Sequence, residues 1–256
     1  MSFLKTHVQV VGALLVREVT TRYGGKPGGY IWAILEPASY VIMMTLVVGG
    51  IAHQPALGTS FSEFFATGYL SFFYYAGCVG YLTSAVRANK TLLSYPNVAP
   101  IDTILARLIV QTLTTTLVSV LVLGTIIYSQ RFPVSIRWGY ILESVAAMTI
   151  LAAGVGLANS VLGPKYPLYE QIFGIVSRPL MILSGVMYLP DLVPHPFRDV
   201  LLLNPLCHAT MLFREGFYPE YRATEFNSTY MWLFVLFVFA VGNMIFTSSR
   251  KTLRDD

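Results

Sequence analysis

The chain has 256 residues, 55% of them hydrophobic and only 12% charged, with a formal net charge of +4. Soluble domains carry about 25% charged residues, so this composition excludes a soluble enzyme, a disordered chain and a disulfide scaffold. Six apolar helices of roughly 21 residues would occupy about 126 residues, which the apolar content can supply. Residues 4–22 read as an amphipathic helix. Leu4, Val8, Val11, Leu15 and Val19 follow 3–4 spacing, while Lys5, Gln9, Arg17, Thr20 and Thr21 lie largely off that line. Such a helix can lie in the membrane interface. The glycine- and proline-rich stretch 24–29 ends it. A first span is expected at about 30–52 and an aromatic-rich second at about 63–86. A third is expected at about 103–128 with Asp102 as N-cap, and a fourth at about 138–162. Gly163-Pro164-Lys165 and Pro167 read as a tight connection. The fifth span is expected at about 172–189, interrupted by Arg178-Pro179, and the last at about 230–247.

Residues 190–229 differ from the rest. They hold five prolines, and their apolar patches, Val200–Leu203 and Leu206–Phe213, are too short to cross a bilayer. They read as re-entrant or interfacial helices, whose irregular backbone must be covered by protein. The expected fold is therefore all-α and integral to the membrane. It has an interface helix in 1–29, a six-span domain in 30–250 with re-entrant periplasmic helices before the last span, and a tail at 251–256.

Six spans put both termini on one side. That side would carry eleven basic residues: Lys5, Arg17, Arg22, Lys26, Arg87, Lys90, Arg107, Lys165, Arg250, Lys251 and Arg254. The other would carry five: Arg131, Arg137, Arg198, Arg214 and Arg222. The imbalance favours cytoplasmic termini. The positive charge thus reads as orientation rather than nucleic-acid binding. No secretory signal is expected, because the N-terminus lacks a clean apolar run ending in a small-residue cleavage site. Cys78, Cys207 and the four histidines lack metal-ligand spacing. His208 reads as a packing residue. Asn227-Ser228-Thr229 matches a glycosylation acceptor, a short motif that by itself carries little weight.

No G-x-x-x-x-G-K-[ST] phosphate loop is present, nor H-E-x-x-H, nor G-x-S-x-G. The chain has no visible engine of its own. An integral-membrane glycosyltransferase or acyltransferase would want clustered Asp or His at one membrane face. An ion-coupled carrier would want an internal repeat. Neither is found.

Three passages carry a resemblance. The first runs Arg17-Glu18-Val19-Thr20-Thr21-Arg22-Tyr23-Gly24, then Gly29-Tyr30-Ile31-Trp32-Ala33-Ile34-Leu35-Glu36-Pro37. The second is Leu93-Ser94-Tyr95-Pro96-Asn97-Val98-Ala99-Pro100-Ile101-Asp102-Thr103, with Arg107 beyond. The third is Asn204-Pro205-Leu206-Cys207-His208-Ala209, then Arg214-Glu215-Gly216-Phe217-Tyr218-Pro219. In this order the chain resembles, over essentially its whole length, the membrane subunit of type-2 ABC exporters, in particular the capsular polysaccharide permeases of Gram-negative bacteria. The resemblance implies a homodimer working with two ATP-binding subunits that hold ATP and Mg, so that this chain carries no cofactor, no metal and no catalytic residue. It implies export of lipid-linked polysaccharide, handed on to periplasmic adaptor and outer-membrane proteins. An O-antigen or teichoic-acid exporter of the same class is the alternative. The N-terminal helix, through Arg17, Glu18 and Arg22, would touch the ATPase. The loop 87–102 would act as a coupling helix there, through Leu92, Leu93, Tyr95, Pro96 and Asn97.

Among the charges inside the spans, Glu36 and Arg178 stand out. A charge inside a span costs roughly 2.5–3.5 kcal/mol on insertion scales. Glu36 and Arg178 sit at similar depths, roughly 9–11 Å in at 1.5 Å per residue. They are expected to pair with each other, or Arg178 to meet an anionic part of the substrate; snorkelling to the interface is the competing reading. Pro37 and Pro179 follow them directly and free a helix carbonyl each. On the second span Phe65, Tyr69 and Phe72 follow 4–3 spacing. Aromatic faces stack on sugars, so this stripe, with Tyr188, Glu36 and Arg178, is the candidate canal lining; core packing is the competing reading.

Overall fold

The computed structural model describes residues 3–23, 28–93, 95, 98–130 and 135–249. Every regular element among them is a helix. α1 spans Phe3–Tyr23, α2 Gly29–Gly49, α3 Phe61–Thr83, and two single turns follow, α4 Ala85–Ala88 and α5 Lys90–Leu93. α6 is Pro100–Ser129, α7 Trp138–Lys165 and α8 Pro167–Leu183. A 3₁₀ turn at Pro190–Leu192 leads into α9 Phe197–Leu202, α10 Pro205–Phe217 and α11 Ser228–Ser248.

Among the described residues, four helices are long and apolar enough to cross a membrane: Ile31–Gly49, Pro100–Ser129, Trp138–Lys165 and Ser228–Ser248. α3 has 23 residues, but tyrosine, serine, threonine and glycine replace much of the aliphatic content. α8 has 17, fewer than the usual 20, and includes Glu170 and Arg178.

Several boundaries differ from the sequence expectation. α7 continues through Gly163-Pro164 to Lys165. A proline breaks a helix by removing an interior bond, and Pro164 sits in the last turn, where little remains to break. The connection shrinks to Tyr166, whose N–H bonds back to Leu162 O at 2.8 Å. α8 begins early because Pro167 sits at its first position with a helical φ already set. It ends at Leu183, just before Gly185 takes φ +69°. Asp102 is not the N-cap of α6. Ala99 is, with Pro100 at the first position, and the Asp102 carboxylate accepts from the Ala99 N–H at 3.0 Å.

α3 organises the packing. At one end Phe64, Phe65 and Leu70 pack with Val118 and Val122 of α6, Ile141 of α7, and Phe213 and Phe217 of α10. In the middle Tyr74, Tyr75 and Cys78 meet Met148 and Leu151 of α7 and Val235 of α11. At the other end Leu82 meets Ile104, Leu157, Val161 and Phe246. α1 lies at this last end, against α6. Cys78 and Cys207 are free and buried.

α10 is buried along its whole length. It runs antiparallel to α3 and α7 at the end far from α1. Ser71 Oγ donates to Thr210 Oγ1 at 3.3 Å, Ser144 Oγ to Ala209 O at 2.7 Å, and Arg137 N–H to Gly216 O at 2.8 Å. Ser71 lies roughly 15 Å along α3 from Phe61, so the start of α10 reaches well into the bundle.

α7 and α11 cross at a glycine pair. A Cβ built on Gly242 would stand 2.0 Å from Gly154 O, and one on Gly154 would stand 2.6 Å from Phe239 Cα. In lipid, helices associate through such close backbone packing. Gly242→Val should therefore lose folded protein, since overpacking alone costs about 1–3 kcal/mol and here the obstacle is backbone. Gly174→Ala, where an added Cβ meets nothing within 4 Å, is the control. Thermal unfolding in detergent reads the difference; equal melting temperatures would contradict the crossing.

Candidate coupling platform and conduit face

α1 turns an unexpected face inward. Val8 is 66% exposed and Val19 43%, while Val11 and Leu15 are half-buried, so the apolar line is not the most buried face. The seam against α6 lies about a quarter-turn away and carries His7, Leu14 and Glu18. His7 Nδ1 bonds the Asp102 carboxylate at 2.9 Å. Leu14 is 5% exposed, and so is Glu18, a carboxylate.

Four elements converge on Glu18. Its Oε2 accepts from Tyr81 Oη at 2.5 Å, and its Oε1 accepts from Arg107 Nε at 3.0 Å and Asn89 Nδ2 at 3.1 Å. Arg107 Nη1 also donates to Tyr81 O at 3.1 Å and Ser84 Oγ at 2.8 Å. The Tyr81 ring has two guanidinium groups near it, Arg107 at 4.5 Å and Arg22 at 4.2 Å from its centroid. Asn89 is buried. It donates to Ala85 O at 2.9 Å and accepts from Arg17 Nη1 at 2.6 Å. Burial alone would raise the Glu18 carboxyl, but hydrogen bonds from Tyr81, Asn89 and Arg107 outweigh it and hold the group below its ordinary value. α1, the end of α3, the α4–α5 junction and α6 are thus joined by one buried polar cluster. Such a cluster is rigid when fully satisfied.

Of the expected coupling residues, Arg17, Glu18 and Arg22 belong to this cluster. Leu93 is 5% exposed and packs with Leu82, Val86 and Ile104, while Leu92 is half-buried and Tyr95 is 62% exposed. Pro96 and Asn97 lie outside the described residues. Tyr81, Ser84 and Asn89 were not expected as partners, and Arg107 was noted without a role. The signal was a polar patch after an apolar span, which also describes an ordinary loop.

The second candidate face lies where α2, α3 and α8 meet. The Tyr40 ring stacks on Tyr69 with centroids 3.9 Å apart, and Tyr69 is followed by Phe73 at 5.9 Å. Tyr40 Oη donates to Met181 Sδ at 3.5 Å, bringing α2 and α8 to one level. Glu36 lies one turn before Tyr40 and Arg178 one turn before Met181, so the two charges share a depth. Both are exposed, and no ion pair joins them among the described residues. Phe72 is half-buried and packs toward α7 and α11. Phe65, at 3% exposure, is a core residue of this chain. Tyr188 Oη donates to Ile182 O at 2.8 Å and covers the last turn of α8. α8 has no buried residue, and Ile172, Ile175 and Val176 are each more than half exposed.

A third constellation closes the far end. Arg214 is fully buried. Its Nη1 donates to Gly185 O at 2.7 Å and Tyr188 O at 2.9 Å, and its Nη2 to Val186 O at 2.6 Å. Its guanidinium lies 4.3 Å from the Phe64 ring centroid. The carbonyls belong to the turn after α8, where a helix end is electronegative. Arg214 therefore locks α10 to the exit of α8.

No group of three or more His, Cys, Asp or Glu suited to a metal occurs among the described residues. The family described as ABC-2 type transporter matches residues 9–218. The chain is similar to the polysialic acid transport protein KpsM of Escherichia coli, 29% identical over 95% of this chain and 94% of that protein. It is also similar to the capsule polysaccharide export inner-membrane protein CtrC of Neisseria meningitidis serogroup A, 26% identical over 91% and 88%. A further relative is the capsule polysaccharide export inner-membrane protein BexB of Haemophilus influenzae, 24% identical over 83% and 80%.

Proposed function

Because the chain belongs to the ABC-2 type transporter family, we propose that it is the membrane subunit of an ATP-driven exporter that moves lipid-linked capsular polysaccharide across a bacterial inner membrane. The observation that carries this reading is the near full-length similarity to three proteins named for polysialic acid transport or capsule export. The working unit is two copies of this chain with two ATP-binding subunits, which hold the ATP and Mg. Six crossings, with α3 and α8 added to the four apolar spans, put both termini in the cytoplasm. Periplasmic adaptor and outer-membrane proteins receive the cargo.

In this reading the α1 end is the docking platform. ATP-driven motion must enter through something stiff, and the Glu18 cluster makes α1, α4, α5 and α6 move as one body. The open face bearing Tyr40, Tyr69, Glu36 and Arg178 lines the canal. Stacked rings offer a sugar chain many weak contacts and no tight site, as a conduit requires. Residues 190–217 form the periplasmic closure, with α10 as its re-entrant element.

Tyr95 reports the docking. A Tyr95→Cys variant carrying a maleimide crosslinker should crosslink to the ATP-binding subunit, and the buried native cysteines should not compete. Capture of the ATP-binding subunit from Leu192→Cys instead, at the other end of the bundle, would contradict the arrangement.

A further inference from the structure

α6 and α7 are consecutive, yet they scarcely touch each other. Each packs on α3, and the seam between them holds a cleft of about 250 Å³. One wall runs from Thr116 to Ile127 on α6 and the other from Trp138 to Met148 on α7, each roughly 15 Å long. That is about half of a ~30 Å hydrocarbon core. The floor comes from Leu70, Ser71 and Tyr74 of α3 and from Phe213 and Phe217 of α10.

No charged side chain lines the cleft. Apart from the Trp138 indole its polar side chains carry hydroxyls, and that of Ser71 is already bonded to Gly68 O and Thr210. Water would find few partners there. An apolar cavity of even ~150 Å³ stays dry and takes an apolar guest. The rims, Val120 at 59% and Leu142 at 64% exposure, face outward, where the surroundings of a membrane-spanning bundle are acyl chains.

The mouth is chemically different. Trp138 is 62% exposed, as suits an indole at the level of lipid headgroups. Arg137 stands beside it. Its Nη2 donates to Pro219 O at 2.9 Å and its guanidinium lies 5.9 Å from the Tyr140 ring centroid. The other N–H groups of its guanidinium meet no protein acceptor among the described residues. A dry slot one chain deep thus ends at a cation with donors to spare.

We propose that this cleft binds a membrane phospholipid, with one acyl chain filling the α6–α7 seam and the phosphate against Arg137. The lipid is a resident of the leaflet farther from α1 and supplies the packing that α6 and α7 do not give each other. The site uses Leu70, Ser71 and Tyr74 of α3, not the Tyr69–Phe73 face, so it stands apart from the proposed canal.

The test uses a phospholipid with a photoreactive group in its acyl chain. The full chain is placed in vesicles of phosphatidylethanolamine and phosphatidylglycerol. Labelled peptides should concentrate at 116–127 and 138–148, several-fold above the lipid-facing α11 residues Leu233, Leu236 and Phe237. Gly124 lines the cleft, and an added Cβ there meets nothing within 4 Å. Gly124→Leu should fill the slot and bring labelling down to the α11 level. If that variant does not fold, Leu142→Trp at the rim blocks the same opening. Arg137→Gln should weaken labelling while the chain stays folded. Uniform labelling of all lipid-facing helices, or a cleft signal unmoved by the filling variants, overturns the site. A signal unchanged in Arg137→Gln overturns the phosphate contact.

Discussion

Replacing Glu18 with Gln is expected to uncouple export from ATP hydrolysis while leaving the bundle folded. The substitution removes the only carboxylate paired with Arg107 among the described residues, and both side chains of that pair are less than 10% exposed. Breaking a buried pair by removing one partner costs about 3–5 kcal/mol, because the remaining charge stays buried and uncompensated. The loss falls on the joint between α1 and the ends of α3, α4 and α6. The core around Tyr74, Met148 and Val235 is untouched. Export should drop by tenfold or more, since about 1.4 kcal/mol of lost coupling already gives a factor of ten. The double variant Glu18→Gln/Arg107→Gln should recover part of the lost stability, because neither charge is then stranded. Purely additive losses would mean that the two residues act separately.

The same cluster sets a pH limit. The Glu18 carboxyl is held below its ordinary value of 4.5 in the folded chain. A depressed carboxylate stabilises fully above its unfolded value, and that stability is lost as pH falls through the lower folded value. α1 should stay anchored at pH 5 and loosen only once pH falls below the ordinary carboxyl value of 4.5. Spin-label distances between α1 and α6 would register the release. Release already complete at pH 6 would contradict the cluster's geometry.

The second large effect is expected at Arg214. Arg214→Met should strip the buried carbonyls of Gly185, Val186 and Tyr188 of their donors. Each unpaired buried carbonyl costs about 1–3 kcal/mol, so the total loss should exceed about 3 kcal/mol. Arg214→Lys should rescue little, because an ammonium cannot reproduce a planar fork that serves three acceptors. Gly68→Val should imitate the loss from the opposite side. A Cβ there would stand 2.4 Å from both Arg214 Nη2 and Val186 O. Proteolysis at 184–204 reads the outcome. Unchanged protection in both Arg214→Met and Gly68→Val would contradict the lock.

The helices were legible because apolar runs announce themselves. Proline and glycine marked their ends, and where the reading slipped, position was the reason. Pro164 reads as a breaker, but in a last turn it breaks little. Pro167 reads as part of a loop, but it opens α8. Asp102 has the chemistry of an N-cap, yet Pro100 sets the helix start earlier and leaves Asp102 to reach back. The candidate sites were harder to see. Glu18 follows Arg17 on a helix with polar residues, which looks like a solvated face. Its burial depends on Tyr81, Asn89 and Arg107, which lie 63 to 89 positions away. No local pattern records such a meeting. The aromatic stripe failed differently. Phe65, Tyr69 and Phe72 share one periodicity, but neighbouring helices cover Phe65 and leave Tyr69 partly open. Tyr40, which completes the stack, sits on another span.

As proposed, this chain is a conduit driven by a partner's ATP hydrolysis. Proteoliposomes holding the chain, its ATP-binding subunit and a defined lipid-linked capsular glycan test it most directly, by the glycan carried to the opposite leaflet. Transport that requires both ATP and the ATP-binding subunit, and that falls at least tenfold in Glu18→Gln, is the predicted result. Transport by this chain alone, or modification of the glycan in place of its movement, would contradict it.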